Sequence, residues 1–209
     1  MISLSLALKD ILLPFQLSTP ALQEISAAFR NEMLVGLEGD ESSLKMLPSF
    51  LQTPDGSEKG RFISLDFGGT NIRILKTELL GNGDLRLLDR CSKPLRNPAG
   101  HYDYLSKQAD GEALFDFIAA QIAALVEPEQ PYALGHTFSF PLRQTGLNSG
   151  LLLHWTKEIE TIGVVGKEIT ALLQAALRRQ NLPQLKPVVI LNDTVGTLIA
   201  SAYANQADD

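Results

Sequence analysis

Four short stretches carry side chains that could act on a charged or hydroxylated ligand. The first is Asp66-Phe67-Gly68-Gly69-Thr70-Asn71-Ile72-Arg73. A Gly-Gly pair between two apolar runs allows positive φ and a sharp turn. It also lets several N–H groups converge with no Cβ in the way, which suits a phosphate. Asp66 could reach a magnesium ion through water, Thr70 and Asn71 add polar groups, and Arg73 adds positive charge. A bare Gly-Gly would fit a plain hairpin turn better; the flanking groups favour phosphate binding. The stretch is not a Walker A loop, because no Lys-Ser or Lys-Thr follows. Asp66-Phe67-Gly68 also spells the magnesium motif of protein kinases, but no His-Arg-Asp precedes it.

The second stretch, Leu134 to Pro141, ends a strand-like run in Ser139-Phe140-Pro141 and offers one hydroxyl at its tip. Alone it fits a surface strand end. The third, Trp155-Thr156-Lys157, sets an aromatic beside a hydroxyl and an ammonium. That grouping suits a polyol, and it suits an amphipathic loop with a half-buried tryptophan as well. The fourth is Asn192-Asp193-Thr194 after the apolar run PVVIL. A carboxylate at the end of a buried strand sits where α/β proteins bind ligands. Helix capping by Asn192 or Asp193 explains the same pattern.

These stretches need a scaffold of strands and helices to meet. Ser18, Thr19 and Pro20 form a helix start, and Leu22, Ile25, Phe29 and Met33 then recur at helical spacing. Gly36 and Gly39 are expected to stop that helix. Residues 48–60 read as a linker or surface loop. Strands are expected at Phe62–Asp66, Ile72–Leu80, Ala133–Phe140 and Pro187–Leu191, with a turn at Gly81-Asn82-Gly83. Helices are expected after Asp110, near Gly166 and near Thr194. This order predicts an α/β fold with a mixed sheet.

Composition narrows the classes. The 209 residues are 44% hydrophobic and 20% charged, as in an ordinary globular protein. The 18 basic and 24 acidic residues leave a net charge of −6, which argues against a nucleic-acid or anionic-membrane partner. The apolar stretch around Leu4, Leu6, Ala7 and Leu8 is broken by Lys9 and Asp10, too short to span a membrane, and preceded by no basic segment. Cys91 is the single cysteine, so the chain has no internal disulfide and fits a reducing, cytoplasmic setting. His101, His136 and His154 lack metal-ligand spacing and are read as polar packing or surface residues.

Singly these stretches are ambiguous. In order and spacing, from about residue 18 to 204, the chain resembles the hexokinase family. LDFGGTNIR resembles that family's first phosphate segment, LGHTFSFPLRQTGLNSGLLLHWTKEIETIGVVGKEI its sugar-binding signature, and VVILNDTVGTLIASAY the segment with the catalytic aspartate. The resemblance implies an actin-like ATPase (ribonuclease H-like) fold, a mixed five-stranded sheet with helices, forming the small lobe of a hexokinase. It implies that Ser139, Thr156, Lys157 and Asn192 bind the hydroxyls of a hexose, glucose first. Asp193 would be the base, and Asp66, Gly68, Gly69, Thr70, Asn71 and Arg73 would face the phosphates of ATP and its magnesium. His136 stands where the family usually has an aromatic, and Glu158 and Ile159 where it has Gly and Phe.

The resemblance divides the chain into an N-terminal helix and linker, 1–59, and an incomplete small lobe, 60–209. The family's second glycine-rich loop and adenosine pocket have no counterpart before the polar run Asn205 to Asp209. An N-terminal part of a longer kinase is therefore expected, inactive alone. The apolar helix face, without its usual partner, could pair two copies into a homodimer. A non-catalytic sugar sensor or regulatory domain, and a chaperone-type ATPase of the same fold, are the competing readings.

Overall fold

The structure is a computed structural model of the chain and describes residues 8, 11–44 and 46–205. Leu4, Leu6, Ala7, Lys9 and Asp10 of the N-terminal stretch, and all but Asn205 of the polar C-terminal run, lie outside the described residues. The chain forms two compact units, Met1–Pro48 and Ser49–Asp209.

In the first unit a short 3-10 helix, Leu13–Phe15, precedes α1, Thr19–Glu38. Ser18 caps α1, its Oγ accepting from the Ala21 N–H at 3.3 Å, and Pro20 fills the first turn. The helix stops at Gly39, in the left-handed region at φ 84°. Gly36 does not stop it. It lies inside α1 because a Cβ there would meet the Leu44 carbonyl, where the chain folds back. Glu32 holds that return by accepting from the Ser42 and Ser43 hydroxyls and the Ser43 N–H, each at 2.9 Å. Those bonds lower its pKa, the backbone bond most. Leu22, Ile25 and Phe29 remain 51%, 53% and 55% exposed.

The second unit is built on a five-stranded mixed sheet in the order β3-β2-β1-β4-β7. Its strands are β1 Lys59–Phe67, β2 Asn71–Gly81, β3 Asp84–Pro94, β4 Tyr132–Phe138 and β7 Leu185–Leu191. A separate hairpin pairs β5, Leu142–Gly146, with β6, Ser149–Leu152. The helices are α2 Gly111–Ala123, α3 Ile169–Arg179 and α4 Asp193–Ala204. β1, β2 and β3 form an antiparallel meander, while β4 and β7 run parallel to β1.

Period-two alternation assigns the two faces. Ile63, Leu65 and Phe67 of β1 align with Leu134, His136 and Phe138 of β4 on the buried face. Leu114, Phe115, Ile118 and Ile122 of α2 and Leu173 and Leu177 of α3 complete that core. Phe67 sits among Phe138, Phe140 and Trp155, with ring centroids 5.3, 5.6 and 6.2 Å away. Edge-to-face and tilted rings at such distances add to the gain from burial.

Three sequence expectations are refined here. The helix expected near Gly166 starts at Ile169, because the Glu168 carboxylate caps it and accepts from the Thr170 and Ala171 N–H groups. Asp110 occupies the N-cap of α2 without a side-chain capping bond. His136 is packed inside and not at the surface: it is fully buried, and neither ring nitrogen has a partner. It lies parallel to Phe67, with centroids 6.5 Å apart, in a place an aromatic could fill.

α4 is anchored at its far end by Tyr203, buried to 7% exposure, whose hydroxyl donates to the Asp84 carbonyl at 3.0 Å and lies 3.4 Å from the Glu58 carbonyl. Tyr203→Phe should lower unfolding stability by about 1 kcal/mol, the usual net worth of such a bond, as read by urea denaturation. An unchanged midpoint would remove this anchor from the account.

Candidate active site

The parallel strands all deliver their carboxyl ends to one rim of the sheet. β1 ends at Phe67 and leads into Gly68-Gly69, β4 ends at Phe138 and leads into Ser139, and β7 ends at Leu191 and leads into Asn192-Asp193. Carboxyl ends of parallel strands are where such sheets bind ligands, since the chain leaves the sheet there and exposes polar backbone. Alternation turns Asp66, Arg73 and Thr137 away from the buried face, with Asp66 opposite both Arg73 and Thr137 in register.

One cavity of about 260 Å3 is lined by all six candidate residues of the glycine turn together with Ser139, Lys157 and Asp193. Four chain segments, far apart in sequence, converge there. A wider open groove of about 580 Å3 continues from Asp193 along α4, past Thr197, Leu198 and Ser201. Thr156 is half-buried, next to Lys157, and does not line the smaller cavity. Asn192 is exposed, and its Oδ1 accepts from the Thr194 N–H at 3.0 Å, so it caps α4 as one sequence reading expected.

Asp193 starts α4, and both its oxygens already accept hydrogen bonds. The Ser139 hydroxyl donates to Oδ2 at 2.7 Å, and the Thr194 N–H donates to Oδ1 at 2.8 Å. The Ser139 bond lowers the Asp193 pKa most; the Thr194 bonds and the Lys157 charge add to it, against desolvation. The helix N-terminus favours the same charge. Asp193 is therefore ionised across neutral pH and able to accept a proton.

Lys157 has φ 64°, a left-handed backbone that costs a non-glycine residue about 1–3 kcal/mol. Such strain persists only where surrounding contacts hold it. Its ammonium lies 5.3 Å from the Phe140 ring centroid. Trp155 supports that ring edge-on at 4.9 Å and donates from Nε1 to the Thr161 carbonyl at 2.7 Å.

The glycine turn departs from the sequence reading in one respect. Neither Gly68 nor Gly69 takes a positive φ. Gly68 donates its N–H to the Asn71 carbonyl at 3.0 Å, and a Cβ on it would crowd that same oxygen at 3.2 Å. Close approach, not handedness, is what the pair supplies. Asp66 accepts from Arg73 at 2.9 Å and from the Thr137 hydroxyl at 3.2 Å. Thr137 and Phe140 were missed in the sequence; the register of two parallel strands and the alternation along β4 are the signals that place Thr137.

No group of three or more His, Cys, Asp or Glu side chains able to hold a metal occurs among the described residues. Of the two carboxylates lining the cavity, Asp193 is bonded to Ser139 and Thr194, and Asp66 alone at the glycine turn fits a magnesium that arrives with nucleotide phosphates and retains water. Among the described residues no helix is long and apolar enough to cross a membrane.

The fold has counterparts among known proteins. The hexokinase family model matches residues 7–203. Hexokinase-3 of Rattus norvegicus is 40% identical over 202 residues, covering 94% of this chain and 21% of that protein. A hexokinase crystal structure superposes with a TM-score of 0.83 at 38% identity, covering 98% of this chain and 49% of that one. The hexokinase of Schistosoma mansoni, solved in complex with glucose, gives a TM-score of 0.76 at 37% identity, covering 93% of this chain and 44% of that one. The chain thus spans between a fifth and a half of these relatives. With an α/β small-lobe structure, a mixed five-stranded sheet and a match over nearly its whole length, the chain belongs to the hexokinase family.

Proposed function

We propose that this chain forms one wall of an ATP:hexose 6-phosphotransferase site, with glucose the first candidate sugar. The observation that carries the proposal is the convergence of the glycine turn, Ser139, Lys157 and Asp193 on one cavity. A phosphate cradle beside a carboxylate base suits attack of a hydroxyl on a phosphoryl group. The glucose bound to the schistosome hexokinase supports the choice of sugar.

In this reading Thr156 and Asn192 exchange hydrogen bonds with the sugar hydroxyls and Lys157 donates to them. Ser139 exchanges its bond to Asp193 for one to the sugar. The freed Oδ2 of Asp193 then accepts the proton of the 6-hydroxyl as its oxygen attacks the γ-phosphorus. The bond from that phosphorus to the bridging oxygen breaks, and ADP leaves. The N–H groups of Gly69 and Thr70 and the Arg73 guanidinium hold phosphate oxygens, Gly68 closes the turn through its bond to the Asn71 carbonyl, and Asn71 orients Thr70 through a 2.8 Å bond. Asp66 would hold magnesium through water, and that ion would offset the phosphates' negative charge. Positioning and charge stabilisation carry most of such a transfer, with the base aligning the nucleophile. The lone Cys91 suits a reducing, cytoplasmic setting.

The assay is hexose 6-phosphate formation by the full-length protein with glucose, magnesium and ATP. Sugar-dependent turnover is expected; ATP hydrolysis indifferent to sugar would instead favour an ATPase of the chaperone type. A finer test addresses Ser139. Because its bond is the largest cause of the lowered Asp193 pKa, Ser139→Ala should raise that pKa. The acid limb of the kcat/KM profile, which reports the free enzyme, should then move to higher pH. An unmoved limb would mean that Ser139 does not tune the base.

A further inference from the structure

Gly69 does something that the phosphate role does not require. Its φ is not positive, so its backbone alone would accept a side chain. A Cβ on Gly69 would nevertheless have as its three nearest neighbours three atoms of one residue, the Cβ, Cγ and Cδ of Lys157, the first two at 3.2 Å and Cδ closer still. These are the root and middle of the stem, not its free end, so the crowding cannot be relieved by swinging the ammonium alone. The Lys157 ammonium lies 5.3 Å from the Phe140 ring centroid. Its backbone is already fixed at φ 64°. The stem therefore passes against a bare glycine at its root and middle and ends with its ammonium near an aromatic ring.

We propose that Gly69 is a positioning residue for Lys157, so that the glycine turn sets hexose affinity as well as holding phosphate. This deepens the proposed function and rests on its assignment of Lys157 to the sugar. The direction of the missing Cβ is what separates the two roles. It points at the Lys157 stem, so a methyl group there displaces the ammonium from the cavity while leaving the Gly69 N–H free to face a phosphate.

The test uses Gly69→Ala in the full-length protein. Hexose KM should rise by about 10–100-fold, the scale for misplacing a binding group by roughly 1 Å. ATP KM should stay within about 3-fold, a free-energy change of about 0.7 kcal/mol or less. In a Lys157→Met background the stem keeps atoms at the β, γ and δ positions but has no ammonium left to misplace, and Gly69→Ala should there cost hexose binding far less than in the wild type, as read by calorimetry. A rise confined to ATP KM, or equal losses in both backgrounds, would overturn the proposal. A crystal structure of Gly69→Ala supplies a readout free of turnover: Lys157 should leave its place over Phe140. If it does not move, the proposal fails. If it moves but the wild type neither binds nor phosphorylates hexose, the positioning stands and the proposed function falls.

Discussion

Asp193→Ala is expected to lower kcat for hexose phosphorylation by about 10²–10⁴-fold, the range for removing a positioned general base. Hexose affinity should change little by comparison, because Thr156, Lys157 and Asn192 are untouched. The reasoning starts from the carboxylate's surroundings. Asp193 is held at the end of a parallel strand, at the start of α4, and ionised by its bond from Ser139. No other carboxylate shares the cavity except Asp66, which is engaged by Arg73 and Thr137. Loss of Asp193 also removes a favourable charge from the first turn of α4, worth about 0.3–1 kcal/mol. That is too little to unfold the protein, so a thermal melt distinguishes lost chemistry from lost fold. The isosteric Asp193→Asn keeps an acceptor for the Thr194 N–H and should be equally inactive. Turnover within about 3-fold of wild type in either variant would remove the base from the mechanism.

His136 makes the largest prediction for stability. Full burial, with no charged or polar partner, pushes its pKa down to about 3. The unfolded imidazole keeps the ordinary value of about 6.5. Folded pKa below unfolded pKa means that the unfolded state binds the proton first. Stability is therefore full above about pH 6.5 and falls by about 1.4 kcal/mol per unit as pH drops toward 3, some 4–5 kcal/mol in all. Glu127 acts in the same direction at lower pH. The Lys76 ammonium at 2.7 Å and the Tyr132 hydroxyl hold its pKa at about 2, so its contribution goes as pH falls below the carboxylate range. His136→Phe should abolish the slope between pH 6.5 and 4.5 in urea-denaturation experiments. It should also stabilise the protein at pH 7 by about 1–3 kcal/mol, because an unsatisfied buried polar group is removed. A slope that survives the substitution would assign the acid sensitivity elsewhere.

What could be read from sequence follows physical lines. Asp66 and Asp193 stand out because each ends an apolar run, and the end of a buried strand is visible as the point where polarity returns. Ser18 and Gly39 mark α1 because caps use few residue types. β3, in contrast, reads DLRLLDRCSKP, with no alternating apolar face, since it is an edge strand mostly exposed to water. The β5–β6 hairpin is short and half polar, and its pairing depends on tertiary context. Gly36 was misread as a stop because the close return of Leu44 cannot be seen in sequence. The same blindness applies at Gly69, whose need for a bare backbone comes from Lys157, 88 positions away along the chain. His136 misleads for another reason: an imidazole usually finds a partner when buried, and this one is packed among aromatic rings instead.

The most direct test of the account is a crystal structure of the full-length protein with glucose. The sugar should lie beside the cavity bounded by the glycine turn, with its 6-hydroxyl within hydrogen-bonding distance of Asp193 and with Ser139 turned from Asp193 toward the sugar. Glucose bound with its 6-hydroxyl away from Asp193, or in a site that leaves the Ser139–Asp193 bond intact, would contradict it.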